Sequence, residues 1–201
     1  MKNINTHKMT FVFATNNQNK IREIKTFIPK SIKILSLHDI GCFEEIKEAG
    51  KTISENALIK SKYVKINYGY NCFSDDTGLE IDYLNGEPGV FSARYAGKPI
   101  NSEKNIDLVL KKMKSQINRS ARFRTCISLI LGNNHKIFEG IVKGKILNSR
   151  KGSDGFGYDS IFKPNVSDKT FAELSVKEKN KISHRGIALK KLINYLIKLN
   201  L

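Results

Sequence analysis

Two adjacent carboxylates, Asp75 and Asp76, follow a short apolar run and precede Thr77 and Gly78. Neighbouring carboxylates repel each other, so a chemical task is a good reason for a chain to keep them. If a strand ends at this point, the chain can turn and leave one carboxylate free to bind a hard cation or to take a proton from water. Asp76 is the first candidate for that role. The alternative is a solvated turn, because Asp, Thr and Gly all favour turns.

A polar loop separates the apolar run at residues 11–14 from a segment whose apolar spacing predicts a helix. That helix is predicted to carry Ile21, Ile24 and Phe27 on one face and to end at Pro29. Backbone N–H groups at a helix N-terminus, together with amide, hydroxyl and lysine side chains, suit a phosphate group. The candidate phosphate ligands are Thr15, Asn16, Asn17, Gln18, Asn19 and Lys20. The loop lacks the Gly-Lys-Ser/Thr ending of a Walker loop, and simple N-capping by Asn is the alternative.

A glycine-rich stretch at residues 152–159 contains three glycines, two aromatic side chains and two acids. Glycine lets the backbone approach a ligand closely, and Phe156 or Tyr158 offers a flat face on which a nucleobase can stack. A glycine-rich hairpin loop has a similar composition. However, an aromatic side chain between glycines has little core to join, so the stretch is predicted to bind a ligand.

Two cationic side chains, His184 and Arg185, fall in the first turn of a helix predicted to begin near Ser183. A shorter helix precedes it, because Ser175 and Glu178 have the spacing of a capping box. Cations at a helix N-terminus oppose the helix dipole, so this position is mildly unfavourable unless they bind something. A tolerated surface pair is the alternative.

Six segments carry a family resemblance through their order and spacing. They are Thr-x-Asn-x-x-Lys at 15–20, Glu-Asn-Ala at 55–57, Ser-Asp-Asp-Thr-Gly-Leu at 74–79, Pro-Gly-Val-Phe-Ser-Ala-Arg-Tyr-Ala-Gly at 88–97, Gly-Phe-Gly-Tyr-Asp at 155–159, and Ala-Glu-Leu-Ser followed by Lys-Asn-Lys-Ile-Ser-His-Arg-Gly within 172–186. Together they resemble the inosine triphosphate pyrophosphatase family, also called XTP/dITP diphosphatases. The resemblance implies an enzyme that cleanses the nucleotide pool by hydrolysing ITP, dITP and XTP to the monophosphate and pyrophosphate with the help of Mg²⁺.

The resemblance also implies a role for each matching residue. Asp76 would be the general base and a Mg²⁺ ligand, residues 15–20 would hold the triphosphate, and Thr77, where relatives most often have Ser, would contact the substrate. Phe156 would stack on the base. The nucleoside pocket would be lined by Phe156, Gly157, Tyr158 and Asp159, and the edge of the base would be read by Lys179, His184 and Arg185.

The second Mg²⁺ ligand departs from the family pattern. Relatives tend to carry Glu-x-x-Gly before the Thr-x-x-Glu-Asn-Ala segment, with an acid as the second ligand. On that alignment the acid position falls on Lys47, and the nearest acid is Glu48. Glu48 is therefore the predicted partner of Asp76 at the metal.

The net charge of +16 raises the alternative of a nucleic-acid-binding module. The lysines, however, are scattered over every segment, and a polyanionic nucleotide benefits from the same positive potential. Nucleic acid is therefore the less favoured partner. The other alternative within the enzyme class is a pyrophosphatase for other modified nucleotides.

Cysteine usage and hydropathy predict a protein of the cytoplasm. Cys42, Cys72 and Cys126 are odd in number and far apart, which indicates neither a disulfide framework nor a zinc site. The first ten residues have no apolar core of a signal peptide, and no run approaches the ~20 apolar residues of a membrane span. Residues 1–9 are read as a disordered lead.

The elements that must position these residues alternate between strands and helices. A strand and a helix flank the polar loop, Thr52 and Glu55 form a capping box that starts a helix reaching about Val64, and residues 132–134 form a predicted hairpin turn. Mixed connections of this kind imply an α/β fold with a partly antiparallel central sheet flanked by helices. No linker or repeat divides the chain, so residues 1–201 are predicted to form one domain. The resemblance implies two lobes with the active cleft between them, and a homodimer.

Overall fold

One mixed sheet of six strands forms the centre of the computed structural model, which describes residues 9–25 and 27–199. The strands lie in the order β2-β1-β3-β4-β5-β6. β1 pairs in parallel with β2 and β3, whereas β3, β4, β5 and β6 pair antiparallel in succession. The strands are β1 (Met9–Phe13), β2 (Ile32–Leu35), β3 (Cys72–Ile81), β4 (Ser120–Leu131), β5 (Asn134–Ile146) and β6 (Phe162–Pro164). The predicted α/β class with a partly antiparallel sheet is confirmed.

Helices cover both faces of this sheet. They are α1 (Gln18–Lys25), α2 (Ile53–Tyr68), α3 (Ser102–Lys112), α4 (Val176–Ile182) and α5 (His184–Lys198). α1 and α5 pack with Phe73 on one face, whereas α2 packs with Cys72, the preceding residue of β3, on the other. Within the described ranges, no helix has the length and apolar character needed to cross a membrane.

Polar residues of β3 separate two clusters of the apolar core. Phe73 belongs to the cluster under α1 and α5, and Leu79 belongs to a separate cluster that includes Val109 of α3 and Phe171. Between these two side chains, β3 presents only Ser74, Asp75, Asp76, Thr77 and Gly78. The polar segment singled out in the sequence therefore lies between two apolar cores.

Most predicted elements are present, with shifted ends. α2 extends to Tyr68 and is capped at Thr52 as predicted, whereas α1 ends at Lys25, ahead of the predicted end at Pro29. The hairpin turn is confirmed, because β4 ends at Leu131 and β5 begins at Asn134. Met9, placed by prediction in the disordered lead, instead begins β1 and pairs with Ile32 of β2. Residues 1–8 of that lead lie outside the described residues.

Candidate active site

The two acids lie in the middle of β3, so the predicted strand end at this point is wrong. β3 continues to Ile81 because its second half stays paired with β4, from Gly78 opposite Arg124 to Ile81 opposite Ala121. Successive side chains of a strand point to opposite faces of the sheet. The two carboxylates therefore serve two different environments.

Asp75 is fully buried and forms two ion pairs on the face covered by α1 and α5. Lys20 Nζ lies 3.0 Å from Asp75 Oδ1, and Arg185 Nε lies 3.0 Å from Asp75 Oδ2. Burial alone would raise the pKa of Asp75, but the charges of Lys20 and Arg185 outweigh burial and hold the pKa well below its usual range. Asp75 is thus a permanent anion that joins the polar loop to α5.

Asp76 is nearly buried on the opposite face, where a lysine and a second acid approach it. Lys60 Nζ lies 2.5 Å from Glu48 Oε1 and 3.9 Å from Asp76 Oδ1. Burial raises the pKa of Asp76 above its usual value, even though Lys60 opposes this shift. A carboxylate with a raised pKa is a better proton acceptor, which suits the predicted general base.

The segment before α2 brings Glu48 to this cluster. Gly50 N donates a hydrogen bond of 2.8 Å to Asn56 Oδ1, and the side chain of Thr52 caps α2 in a reciprocal capping box. These bonds fix the backbone just after Glu48. Lys47, where the family acid was aligned, is exposed, so Glu48 is the acid of this segment that shares a lysine with Asp76.

Asp76 and Glu48 together fit a Mg²⁺ ion. Asp76 Oδ2 is buried and has no hydrogen-bond partner among the described residues, which leaves one carboxylate oxygen available to a ligand. Mg²⁺ is commonly held by one or two carboxylates, with water and substrate phosphates completing the shell. In residues 9–25 and 27–199 there is no group of three or more His, Cys, Asp or Glu that could hold a metal ion.

The polar loop begins α1 as an N-cap. Asn17 Oδ1 accepts hydrogen bonds from Asn19 N at 2.9 Å and from Lys20 N at 3.2 Å, so the capping alternative is confirmed. Thr15 is buried and accepts a bond from Asn17 N, whereas Asn16, Asn17 and Gln18 are exposed. Capping and phosphate binding are compatible, and phosphate binding by this loop stays a prediction.

The cations predicted to read the base are buried and ion-paired. Lys179 Nζ lies 2.7 Å from Glu23 Oε1 and 2.7 Å from Asp159 Oδ2. Arg185 is also bonded to Glu23, and its Nη2 donates to Thr77 Oγ1 at 3.2 Å. These carboxylates already occupy donors of both cations, so direct reading of the base by them stays a prediction.

The two aromatic side chains of the glycine-rich stretch lie in different surroundings. Tyr158 is part of the apolar core, and its hydroxyl donates to Ser92 O at 2.9 Å, so its ring is not a free stacking face. Phe156 is half-buried, with Lys179 Nζ 4.7 Å and Arg185 Cζ 5.6 Å from its ring centroid. Asp159 Oδ2 accepts a hydrogen bond of 2.8 Å from Phe156 N, which holds the backbone at Phe156 in place. Phe156 is therefore the stacking candidate of this stretch.

His184 is buried against aromatic side chains. Its ring stacks on Phe123 at 4.5 Å between centroids, with an angle of 13° between the planes. Burial, together with the charge of Arg185, lowers the pKa of His184 far below its usual value. The imidazole is therefore neutral at neutral pH, and any contact with a ligand is made by a neutral ring.

Two residues of this network, Lys60 and Glu23, were missed in the sequence. Helical periodicity could have identified both. Lys60 lies on the same buried face of α2 as Asn56 and Ala57, and Glu23 lies beside Ile24 on the buried face of α1. A charged residue in phase with a buried stripe is rarely tolerated unless it is paired. That rule, applied to each predicted helix, would have found both.

Comparisons with known proteins identify the family that this chain is similar to. A family model described as the Ham1 family matches residues 11–195. The chain is 55% identical over 190 residues to the dITP/XTP pyrophosphatase of Christiangramia forsetii, covering 94% of this chain and 100% of that protein. It is also 55% identical over 188 residues to the dITP/XTP pyrophosphatase of Flavobacterium johnsoniae, covering 94% and 98%.

Solved structures show the same fold. The Ham1 protein of Staphylococcus aureus matches with a TM-score of 0.86 and 38% identity, covering 94% of this chain and 98% of that one. A HAM1 protein from Coxiella burnetii matches with a TM-score of 0.88 and 36% identity, covering 94% and 99%. The resemblance found in the sequence is thereby confirmed at the level of the family.

Proposed function

The chain belongs to the Ham1 family, and on that premise we propose that it hydrolyses the non-standard purine nucleoside triphosphates ITP, dITP and XTP to the monophosphate and pyrophosphate. Relatives with more than half of their residues identical are named dITP/XTP pyrophosphatases. The observation that carries the proposal is the convergence on β3. Asp75 is paired with Lys20 of the polar loop, and Asp76 keeps a buried oxygen that has no hydrogen-bond partner among the described residues.

The triphosphate binds at the polar loop in this proposal. The exposed amides of Asn16, Asn17 and Gln18 and the N-terminus of α1 donate to phosphate oxygens, and Lys20 adds charge. Asp76 and Glu48 would hold a Mg²⁺ ion, and the bound ion would neutralise phosphate charge and lower the repulsion met by an incoming water. In this proposal the nucleotide reaches from the polar loop to the Asp76–Glu48 pair.

Asp76 acts on water in the chemical step. Its carboxylate accepts a proton from a water molecule whose oxygen attacks the α-phosphorus, and the bond from that phosphorus to the bridging oxygen breaks. The leaving group is pyrophosphate, and the product that keeps the base is the nucleoside monophosphate.

The base stacks on Phe156, and its 6-keto oxygen, which guanine shares, distinguishes it from adenine. Hypoxanthine and xanthine present an acceptor at a position where adenine presents a donor, so a site rich in donors favours the keto bases. Lys179, Arg185 and the neutral His184 are the proposed donors of this site. Thr77, already bonded to Arg185, connects the base site to β3.

A substrate panel with Mg²⁺ tests this proposal. We expect ITP, dITP and XTP to be hydrolysed with kcat/KM at least ~100-fold above ATP, since a site built to bond one polar group discriminates at that level or better. Pyrophosphate must be the first product. Orthophosphate as the first product would contradict attack at the α-phosphorus. Preferential hydrolysis of dUTP would favour the alternative, a pyrophosphatase for other modified nucleotides.

Asp76→Asn tests the catalytic role within the same assay. We expect kcat to fall by roughly 10²-fold or more, because a general base contributes about that factor. Asp82→Asn, an exposed acid just beyond β3, is the control and should keep full activity. Pyrophosphate release near the wild-type rate by Asp76→Asn would show that Asp76 is not the general base.

Three further proposals concern the whole protein. We propose that it acts as a homodimer, which light scattering during gel filtration tests directly. We also propose that it works in the cytoplasm, where the nucleotide pool is, and that nucleic acid is not a partner.

A further inference from the structure

Lys60 occupies the position between the two acids that are the proposed metal ligands. It reaches down from α2, and its side chain is 9% exposed. Its ammonium group contacts Glu48 Oε1 at 2.5 Å and lies 3.9 Å from Asp76 Oδ1. Among the described residues these two acids are its ion-pair partners, so the buried positive charge is balanced by the carboxylates that a cation would need.

A lysine and a divalent cation cannot both fill this position. Mg²⁺ binds carboxylate oxygens at about 2.0–2.1 Å, whereas the ammonium group already contacts Glu48 at 2.5 Å. The two cations would repel each other strongly at such a separation in a partly desolvated site. Either the ammonium moves away when the metal arrives, or the metal is kept out.

The side chain of Lys60 is able to move. Its charge sits on a flexible stem of four carbons, unlike the rigid fork of an arginine. A new anionic partner is needed before it can leave, because a buried ammonium group without a partner is costly. A bound triphosphate is such a partner, and it also brings oxygens that complete the shell of the metal.

We propose that Lys60 is an internal competitor of the divalent cation. In the free protein its ammonium group blocks the Glu48–Asp76 site, and it leaves the site when a bound nucleotide provides new oxygen partners. Metal and nucleotide therefore enter together, as the metal–nucleotide complex. This inference rests on the proposed nucleotide site, but it concerns the protein before any nucleotide is bound.

The test is the affinity of the nucleotide-free protein for Mn²⁺, a spectroscopic substitute for Mg²⁺, measured by electron paramagnetic resonance. We expect weak binding by the wild type. Lys60→Met should bind Mn²⁺ at least roughly tenfold more tightly, because it removes a like charge from the immediate surroundings of the ion. Lys60→Arg keeps the charge and should remain as weak as the wild type.

Lys62→Met is the matched control. It removes the same charge from the same helix, but Lys62 is exposed, so Mn²⁺ affinity should be unchanged. Unchanged or weaker binding by Lys60→Met would overturn the proposal, as would tight binding by the wild type.

Folding of the variants is followed by thermal unfolding. Lys60→Met leaves two acids uncompensated, so it should unfold at a lower temperature without metal and gain more from added Mg²⁺ than the wild type does. Lys60→Gln retains a hydrogen-bond donor for Glu48 and provides the same comparison if the methionine variant is too unstable to isolate. If added Mg²⁺ raised the unfolding temperature of variant and wild type equally, the proposal would be contradicted. None of these measurements uses hydrolysis, so a wrong substrate assignment and a wrong role for Lys60 give different results.

Discussion

At the scale of single residues, the pleat of β3 gives two neighbouring aspartates opposite properties. Asp75 points toward two cations and is held as an anion, whereas for Asp76 burial outweighs the charges of Lys60 and Lys20, and its pKa is raised. The first carboxylate is therefore suited to holding other side chains in place, and the second to exchanging protons or ligands. A shift of one residue in the register of β3 would exchange these environments.

Glu23 is the residue that joins the two buried cations. Its side chain is 6% exposed and contacts both Lys179 and Arg185. Burial would raise the pKa of Glu23, but the charges of Arg185 and Lys179 outweigh it, and the pKa is lowered in the folded protein. A lowered pKa means that the carboxylate contributes stability at pH values above its unfolded pKa, and that this contribution is lost as the pH falls through the folded pKa.

We therefore expect Glu23→Gln to lose stability at neutral pH and to flatten the acid side of the stability profile. The loss at pH 7 should be about 3–5 kcal/mol, because one partner of a buried pair is removed. Urea unfolding at a series of pH values between about 7 and 3 measures both effects. This range includes the pKa of a glutamate carboxyl in the unfolded chain, about 4.3. Glu45→Gln, at an exposed position, is the control. Parallel profiles for Glu23→Gln and wild type would contradict the assignment.

The limits of sequence reasoning are also visible in these residues. Motif spacing found Lys20, Asp76, Phe156 and Arg185 because each belongs to a short local pattern. Pairings between distant segments, such as Lys179 with Glu23 across 156 positions of the chain, depend on the fold and leave no local pattern. The predicted strand end failed for a related reason, because Gly78 favours a turn locally but is held in β3 by its pairing with Arg124.

At the scale of elements, the start of α5 is positioned by a close approach to β5. A Cβ atom added at Gly140 of β5 would lie 2.0 Å from His184 O and 2.7 Å from Ala188 N, both backbone atoms of α5. Ser183 caps this helix through Gly186 N at 3.1 Å. The absence of a side chain at Gly140 therefore sets the distance between α5 and the sheet, and with it the place of Arg185.

We expect Gly140→Ala to push the first turn of α5 away from β5. Overpacking of this kind costs about 1–3 kcal/mol, and the displaced Arg185 should loosen its contacts with Asp75. Thermal unfolding measures the first effect, and an increased KM for ITP measures the second. Lys143→Ala, an exposed change on the same strand, should leave both unchanged. A Gly140→Ala protein with wild-type stability would show that α5 can be displaced at no cost.

At the scale of the whole molecule, the proposed site lies between two apolar cores and within a strongly basic protein. Ile24 of α1 and Leu189 of α5 belong to the cluster around Phe73, whereas Tyr158 belongs to the cluster around Leu79. The net charge of +16 is carried by 35 basic and 19 acidic residues spread along the chain. A positive field of this kind attracts any polyanion, so charge alone does not distinguish a triphosphate from a nucleic acid.

Salt dependence distinguishes these two partners. If the field serves a triphosphate, raising KCl from about 0.05 to 0.5 M should increase KM for ITP severalfold and leave kcat nearly constant, because screening acts on binding rather than on the bound complex. Inhibition by the monophosphate product, which carries fewer charges, should depend less on salt. A nucleic-acid partner predicts instead that RNA binds tightly at low salt, that affinity falls steeply with log[salt], and that RNA competes with ITP. An ITP KM that does not respond to salt, together with RNA binding that does, would assign the positive field to nucleic acid rather than to the substrate.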